Sequence, residues 1–230
     1  MPAFLSALTR FCLSSIGKKI LVALSGAAMM GFLIGHLSGN LLAYGGPDAI
    51  NSYAEWLHSL GKLLWIARLG LIGAVVVHIV FTILLVIENR MARDQAYAYP
   101  ATVGASKASR TMIYSGAVIL AFLLFHLSHF TVTIFNEFGT DKYLDAEGRR
   151  DVYRMLKDGF GVPWVSFFYI LAVGLLCMHL SHGFASVFQT LGLSSNRFRP
   201  VVETGGYIFS IVLFIGYASI PVAFWFGILN

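Results

Sequence analysis

The chain has 230 residues, of which 57% are hydrophobic and only 12% are charged, and its mean hydropathy is +0.76. A soluble domain carries roughly twice that share of charged residues. The composition therefore argues against a soluble enzyme, a disordered protein and a nucleic-acid-binding protein, although the net charge is +5. Cys12 and Cys177 form no CxxC, zinc or covalent c-type haem motif, so the seven histidines become the main candidates for chemistry.

Five long stretches of the chain contain no Asp, Glu, Lys or Arg, and each can cross a bilayer, which takes about 20 apolar residues. Lipid cannot satisfy the backbone of an open sheet, so we expect these stretches to be helices. The sequence predicts an all-α bundle in one transmembrane domain over residues 1–230, with spans at 20–44, 63–88, 111–135, 163–188 and 206–228. The first apolar run follows a basic segment as in a signal peptide, but it continues to Leu42, which indicates a retained span.

Basic residues divide unevenly between the two ends of the spans. Segments 1–19, 88–110 and 189–205 hold nine basic and three acidic residues, whereas the opposite loops and helix ends hold seven basic and eight acidic residues. Loops rich in Lys and Arg tend to stay in the cytoplasm. This pattern predicts a multi-pass protein of the inner (cytoplasmic) membrane, with its N-terminus in the cytoplasm and its C-terminus outside.

Six of the seven histidines fall inside predicted spans, and an ionisable residue there is costly and usually functional. At about 1.5 Å per residue, His36 and His126 lie roughly 24 and 22 Å from the cytoplasmic ends of their spans, and His78 and His179 roughly 15 and 13 Å. These depths predict an outer pair from spans one and three and an inner pair from spans two and four. Two facing imidazoles per layer are what bis-histidine haem ligation requires, and such a haem carries electrons because both axial positions are filled.

Spacing alone does not choose between the two histidines of spans three and four. His129 follows His126 by three residues and His182 follows His179 by three, so each couple shares a helix face. The spare histidine could bond a haem propionate or a quinone, or cap a neighbouring helix. Glycines of span one, such as Gly35, either let helices approach closely or leave room for a flat ring. The fifth span has no histidine, and we expect it only to pack.

Several short motifs in a fixed order carry a family resemblance. They are Gly35-His36-Leu37, His78 placed 42 residues later, Tyr114-Ser115-Gly116 ten residues before His126, and His179-Leu-Ser-His182-Gly183 leading into Phe188-Gln189-Thr190-Leu191-Gly192. With this set the chain resembles the cytochrome b membrane subunit of succinate:quinone oxidoreductases, the succinate dehydrogenases and fumarate reductases. It is most similar to their single-chain type with five helices and two haems, from about residue 15 to the end.

The resemblance implies an electron-transfer role. Two b-type haems would be bound, the outer one by His36 and His126 and the inner one by His78 and His179, with His129 and His182 as non-ligands. A flavoprotein subunit would interconvert succinate and fumarate, and an iron–sulfur subunit would dock on the cytoplasmic face. This chain would relay electrons between that partner and a membrane quinone, expected to be menaquinone, without binding the dicarboxylate itself.

Three further expectations concern the surroundings of the haems. Some family members place a glutamate two residues before the fourth-helix ligand, where this chain has Cys177, so we infer no proton path through that helix. The quinone-site candidates lie in the first outer loop, where they could equally be an interfacial anchor: Glu55, Trp56 and His58. The candidate partners for haem propionates, which could equally anchor the helices at the interface, are Lys19, Arg68 and Arg110.

Two other classes of protein remain as alternatives. The cytochrome b subunit of a respiratory nitrate reductase or hydrogenase also has five spans and two haems, but the distribution of histidines over four helices favours the succinate/fumarate family. A histidine-lined metal or proton transporter is expected to add carboxylates within its spans or helices broken at the midplane. The uncharged stretches contain no carboxylate, and no proline lies in the middle of a predicted span.

Overall fold

A computed structural model describes residues 3–92 and 107–230, which form α-helices and no β-sheet. The helices are α1 Ala3–Leu13, α2 Ser15–Asn40, α3 Pro47–Ser59, α4 Lys62–Met91, α5 Lys107–His126, α6 Val152–Phe160, α7 Pro163–Thr190 and α8 Arg199–Trp225. Five helical segments are long and apolar enough to cross a membrane. This confirms the prediction of an all-α protein with five transmembrane helices.

The observed spans differ from the predicted ones mainly at charged ends. They cover Ser15–Gly45, Lys62–Met91, Thr111–Thr131, Pro163–Thr190 and Arg199–Trp225. Charged residues do not end these helices, and two of them form ion pairs. Lys18, buried near the start of α2, pairs with Glu88 near the end of α4, and Arg199 pairs with Glu203 one turn later in α8.

The third span ends earlier than predicted, at residue 131 rather than 135. After His126 the helix widens into a π-helical turn, Leu127–Thr131, and Thr133 then adopts a positive φ of 52° that turns the chain away. The Asn136 side-chain amide donates to the carbonyl of His129 at 2.9 Å and so satisfies one of the exposed carbonyls at this end. A single π turn of this kind often marks a functional site.

The spanning helices pack in a defined order. Helix α2 contacts α4 and α7, α7 also contacts α5, and α8 packs against α7 and, less extensively, α2. Helix α4 buries none of its residues, and large side chains such as Trp65, Leu69 and Ile72 are more than half exposed. An apolar surface of this extent is stable against lipid hydrocarbon and not against water, so the chain is a multi-pass membrane protein.

Two short helices, α3 and α6, cover the side of the bundle where α2 ends and where the chain ends, here called the carboxy-terminal side. The apolar face of α6 presents Tyr153, Leu156 and Phe160, which are buried against residues of α3, α7 and α8. Their spacing of three and four residues is that of one helix face. Helix α1 lies at the opposite, amino-terminal side, where it packs on the start of α2.

A polar network ties α3 to the loop before α6. The Asn51 amide is almost fully buried and donates to Asp145 at 3.3 Å and to Asp151 at 3.1 Å. The Arg149 guanidinium donates to Asp145 at 2.8 Å and to Asp48 at 2.9 Å. Partial desolvation raises the pKa of the Asp145 carboxyl. Hydrogen bonds from the Arg149 side chain and backbone outweigh that effect, so the pKa lies below its ordinary value.

The lowered pKa of Asp145 predicts acid sensitivity of this cap. A carboxyl whose pKa is lower in the folded state stabilises the fold above its unfolded pKa, about 3.9, and loses that contribution as the pH falls through the folded value. Asp145→Asn is expected to lower the Tm at pH 7 and to reduce the further loss of Tm below about pH 4, measured by thermal unfolding in detergent. Asp141→Asn, at an exposed carboxyl, is the control, and equal pH profiles for the two variants would contradict the prediction.

The contact between α7 and α8 depends on one glycine. A Cβ added to Gly206 would lie 2.9 Å from the backbone oxygen of Ser181 and 3.3 Å from Cβ of Phe184, whereas a Cβ on neighbouring Gly205 would lie 3.8 Å from the Phe184 ring. The first distance is a clash with backbone, and the last is ordinary van der Waals contact.

Gly206→Ala is therefore expected to destabilise the protein by about 1–3 kcal/mol through overpacking. Gly205→Ala, which gains the same helix propensity without the clash, is expected to be neutral or stabilising. Thermal unfolding of both variants in the same detergent measures the difference. A Gly206→Ala protein as stable as Gly205→Ala would show that the two helices separate without cost.

Candidate functional site

The structure brings His36 and His126 together across the bundle. His36 lies four residues before the end of α2, and His126 is the last residue of α5. Their ring centres are 5.8 Å apart with the planes at 85°. Phe32, Phe122 and Tyr217 contact the two rings, so aromatic side chains flank the pair. We call this pair the carboxy-side layer.

A second pair, His78 and His179, lies nearer the amino-terminal side. His78 comes from α4 and His179 from α7, and their ring centres are 6.5 Å apart with the planes at 61°. Small residues face both rings, because a Cβ on Gly26 would lie 3.3 Å from Cε1 of His78 and one on Gly116 would lie 3.7 Å from Cε1 of His179. We call this pair the amino-side layer.

The two layers are separated by about three helical turns. Ser25 contacts His78 and lies 11 residues before His36 on α2. Ser115 contacts His179 and lies 11 residues before His126 on α5. At a rise of 1.5 Å per residue, both helices place the layers about 16 Å apart along the bundle. The agreement between two separate helices shows that the layers are stacked in parallel.

Each histidine pair joins two helices that do not pack on each other. Among the helices of residues 3–92 and 107–230, the packed order is α4, α2, α7 and α5. Each pair links helices two positions apart in this order, His78 to His179 and His36 to His126. The row of four thus forms a four-sided bundle whose two diagonals are each bridged by a pair of imidazoles.

The ring separations fit a metal bound between the two imidazoles. Imidazole nitrogens about 2 Å from a shared metal on opposite sides place the two ring centres about 6 Å apart. The observed 5.8 and 6.5 Å lie on either side of that value. In the part of the chain that the structure describes, no group of three or more His, Cys, Asp or Glu side chains could hold a metal ion. Two imidazoles alone suit a metal whose other ligands come from a macrocycle.

Hydrogen bonds orient all four rings in the same sense. In the carboxy-side layer, Nδ1 of His36 lies 3.2 Å from the Tyr217 hydroxyl, and Nδ1 of His126 lies 3.3 Å from the Tyr169 hydroxyl. In the amino-side layer, Nδ1 of His78 lies 3.1 Å from the Val22 carbonyl, and Nδ1 of His179 lies 3.0 Å from Ser115 Oγ. A metal-binding imidazole commonly uses one nitrogen for the metal and donates from the other to such a partner. Within the described ranges these hydrogen bonds involve only Nδ1, which leaves Nε2 as the nitrogen that can bind a metal.

The other three histidines have different surroundings. His129 lies in the π turn among Phe125, Phe130 and Phe138, and its Nδ1 is 3.1 Å from the Tyr169 hydroxyl. In His182 the nitrogen Nε2 contacts Ser186 Oγ at 3.1 Å, so this ring uses the nitrogen that the paired rings keep available. His58 lies exposed on α3. The ring contacts therefore pair His126 and His179, and not His129 and His182, with histidines of other helices.

Two of the three predicted propionate partners have side chains that the structure describes. Lys19 is exposed near the start of α2. The Arg68 guanidinium lies over the Trp65 ring of its own helix, 5.2 Å from the ring centre. The side chain of Arg110 lies outside the residues whose side chains are described. Binding of propionates by these three side chains stays a prediction.

The predicted quinone-site residues share α3 but form no enclosed site with one another. Glu55, Trp56 and His58 are all exposed, and the Trp56 ring stacks on Tyr53 at a centre distance of 5.8 Å. Across the described ranges, no hydrogen bond or ring contact joins any two of the three. Their role at a quinone site stays a prediction.

Several side chains at the site were not singled out by the sequence analysis. Tyr169 of α7 and Tyr217 of α8 hold the two rings of the carboxy-side layer. The fifth span was expected only to pack. That expectation is wrong, because the hydroxyl of Tyr217 on α8 contacts His36. A tyrosine in the middle of an apolar span is a signal that could have pointed to both residues, since a phenolic hydroxyl needs a partner there.

Comparison with known proteins does not identify a relative: no protein-family model, no curated protein and no solved structure matches this chain.

Proposed function

We propose that this chain is a di-haem cytochrome b, the membrane subunit of a succinate:quinone oxidoreductase, and that it relays electrons between an iron–sulfur partner and a membrane quinone. The observation that carries the haem assignment is the pair of stacked imidazole couples, each bridging helices that do not pack together. The motif resemblance supports the enzyme family. The excess of basic residues supports placing the amino-terminal side in the cytoplasm.

In this proposal His36 and His126 hold one b-type haem through Nε2, and His78 and His179 hold the other. A haem held by these two imidazoles would supply one-electron redox chemistry and would leave no position for oxygen or substrate. Tyr169, Tyr217, Val22 and Ser115 orient the four rings through Nδ1. The surrounding apolar and aromatic side chains exclude water, and burial of this kind is one of the protein's means of setting a haem potential.

The stacking of the two layers would give the relay a path across the bilayer. The amino-side layer faces the side on which an iron–sulfur subunit would dock, and the carboxy-side layer lies near the cap formed by α3 and α6. Layers about 16 Å apart carry charge over a large part of the hydrocarbon thickness, which is about 30 Å. Movement of an electron against the membrane potential costs about 2.3 kcal/mol per 100 mV, so the two haem potentials must compensate for it.

Haem content tests the ligand assignment directly. The wild-type protein, expressed with its partner subunits, is expected to show a reduced b-type absorption spectrum and about two haems per chain. Alanine at His36, His78, His126 or His179 is expected to remove one haem each, because one axial nitrogen alone holds the iron weakly. Pyridine-haemochrome analysis of the purified protein gives the number of haems per chain.

The matched controls are His129→Ala and His182→Ala, which remove histidines of the same two helices and are expected to keep both haems. A His126→Ala protein with full haem content, together with loss of haem in His129→Ala, would reverse the choice within that couple. A wild-type protein purified without tetrapyrrole, despite haem-sufficient growth, would refute the proposal.

The partner assignment has its own test. A tag on this chain is expected to co-purify a flavoprotein and an iron–sulfur subunit, and the complex is expected to reduce a menaquinone analogue with succinate. His78→Ala is expected to lower this rate at least about tenfold, since loss of a metal ligand, or even of a hydrogen-bond partner of a ligand, has an effect of this size or larger. Reduction of a water-soluble acceptor by succinate should persist, because those electrons leave before they reach this chain.

A complex that reduces quinone with formate, hydrogen or another donor and not with succinate would assign the chain to a different quinone-linked cytochrome b. This is the outcome expected for a nitrate reductase or hydrogenase subunit. Retention of two haems in that complex would still support the electron-transfer role and would refute only the succinate partner.

A further inference from the structure

For three of the four paired histidines, the chain of hydrogen bonds that begins at Nδ1 ends on a backbone carbonyl. The Tyr217 hydroxyl that contacts His36 donates to the Leu33 carbonyl at 2.7 Å. The Ser115 hydroxyl that contacts His179 donates to the Met112 carbonyl at 3.1 Å. His78 reaches the carbonyl of Val22 directly, at 3.1 Å. A backbone carbonyl only accepts, so the last hydrogen of each of these three chains is given to the backbone. At His36 the amide nitrogen of Asn40 also lies 3.4 Å from Nδ1.

The fourth chain ends on a second imidazole instead. The Tyr169 hydroxyl lies 3.3 Å from Nδ1 of His126 and 3.1 Å from Nδ1 of His129. A phenolic hydroxyl has one hydrogen to donate and lone pairs that accept. When Nε2 of His126 binds a metal, its Nδ1 carries the hydrogen and donates to Tyr169. The Tyr169 hydroxyl then donates its own hydrogen to Nδ1 of His129. Because this Nδ1 accepts, the hydrogen of the His129 ring is on Nε2.

The surroundings of His129 hold it in this position. The ring is packed by Phe130 at a centre distance of 4.1 Å and by Phe138 at 5.5 Å. Its backbone carbonyl accepts from the Asn136 amide at 2.9 Å, which fixes the π turn. A Cβ on Gly159 of α6 would lie 3.2 Å from Cε1 of His129, so the ring packs tightly against this glycine. The π turn thus places a second histidine on the same hydroxyl as His126.

We propose that Tyr169 and His129 are positioning residues for His126, and that their relay of two hydrogen bonds tunes one of the two haems and not the other. The inference rests on the proposed function. Donation from Nδ1–H raises the basicity of a metal-bound imidazole, and a hydroxyl that itself donates to His129 is a stronger acceptor. A more basic ligand stabilises the oxidised iron and lowers the midpoint potential, so loss of the relay raises that potential.

Tyr169→Phe removes the hydroxyl and keeps the ring. This variant is expected to retain both haems, to raise the midpoint potential of the haem that is lost in His126→Ala, and to bind that haem about tenfold more weakly. Its low-spin ferric EPR signal is expected to shift, while the signal of the other haem stays unchanged. Redox titration followed by absorption and EPR on the purified complex measures both haems in one sample.

Two sets of variants separate tuning from packing. Tyr153→Phe removes the hydroxyl of another buried tyrosine, which bonds the Asn230 carbonyl at 3.3 Å, and is expected to shift neither haem. His129→Phe removes the acceptor and preserves an aromatic ring, so it should raise the same potential by a smaller amount. His129→Gln restores an acceptor oxygen and should lie closer to wild type than His129→Phe.

A haem-loaded Tyr169→Phe protein with both potentials and both EPR signals unchanged would overturn the inference and leave the proposed function intact. Equal shifts of both haems would also overturn it, because they indicate a general structural effect. Should Tyr169→Phe fail to assemble, the comparison of His129→Phe with His129→Gln decides, and equal potentials in those two would overturn it. A wild-type protein without haem would refute the proposed function itself.

Discussion

Two pairs of imidazole rings held between helices that do not pack on each other are the constraint around which the rest of the molecule is arranged. In hydrocarbon an unpaired polar group costs several kcal/mol, so each ring needs a hydrogen-bond partner supplied by a neighbouring helix. Tyr169, Tyr217, Ser115 and the Val22 carbonyl meet that need. Helices α2, α7 and α8 pack on one another, and this packing holds one helix of each diagonal pair in place.

Helix α7 is central to this arrangement. It contacts α2, α5 and α8, carries His179 towards the amino-terminal side, and carries Tyr169 ten residues earlier, at the level of the carboxy-side layer. One helix therefore positions parts of both layers. The close approach of α8 at Gly206 holds α7 at Ser181, two residues after His179, so the packing of α8 contributes to the position of this histidine.

The two layers differ in a way that suits different neighbours. The amino-side layer is bounded by small residues, Gly26, Ser25 and Ser115. The carboxy-side layer is enclosed by aromatic rings and extends through Tyr169 to His129 in the π turn. Under the proposed function the first layer exchanges electrons with a protein partner and the second lies towards a quinone. The different polar surroundings would give the two haems different potentials.

The sequence by itself determined the five spans, because an uncharged stretch of this length is stable in lipid only as a helix. It also indicated which histidines lie at the same depth, because the helical rise per residue is constant. It did not determine the partners of those histidines, since His126 and His129 share a helix face and spacing cannot separate them. Only the tertiary structure decided that Tyr169 and Tyr217 contact the rings, that α8 takes part, and that the third span ends in a π turn. These features depend on side chains from helices distant in sequence, whose rotation about their axes is set by packing and not by local periodicity.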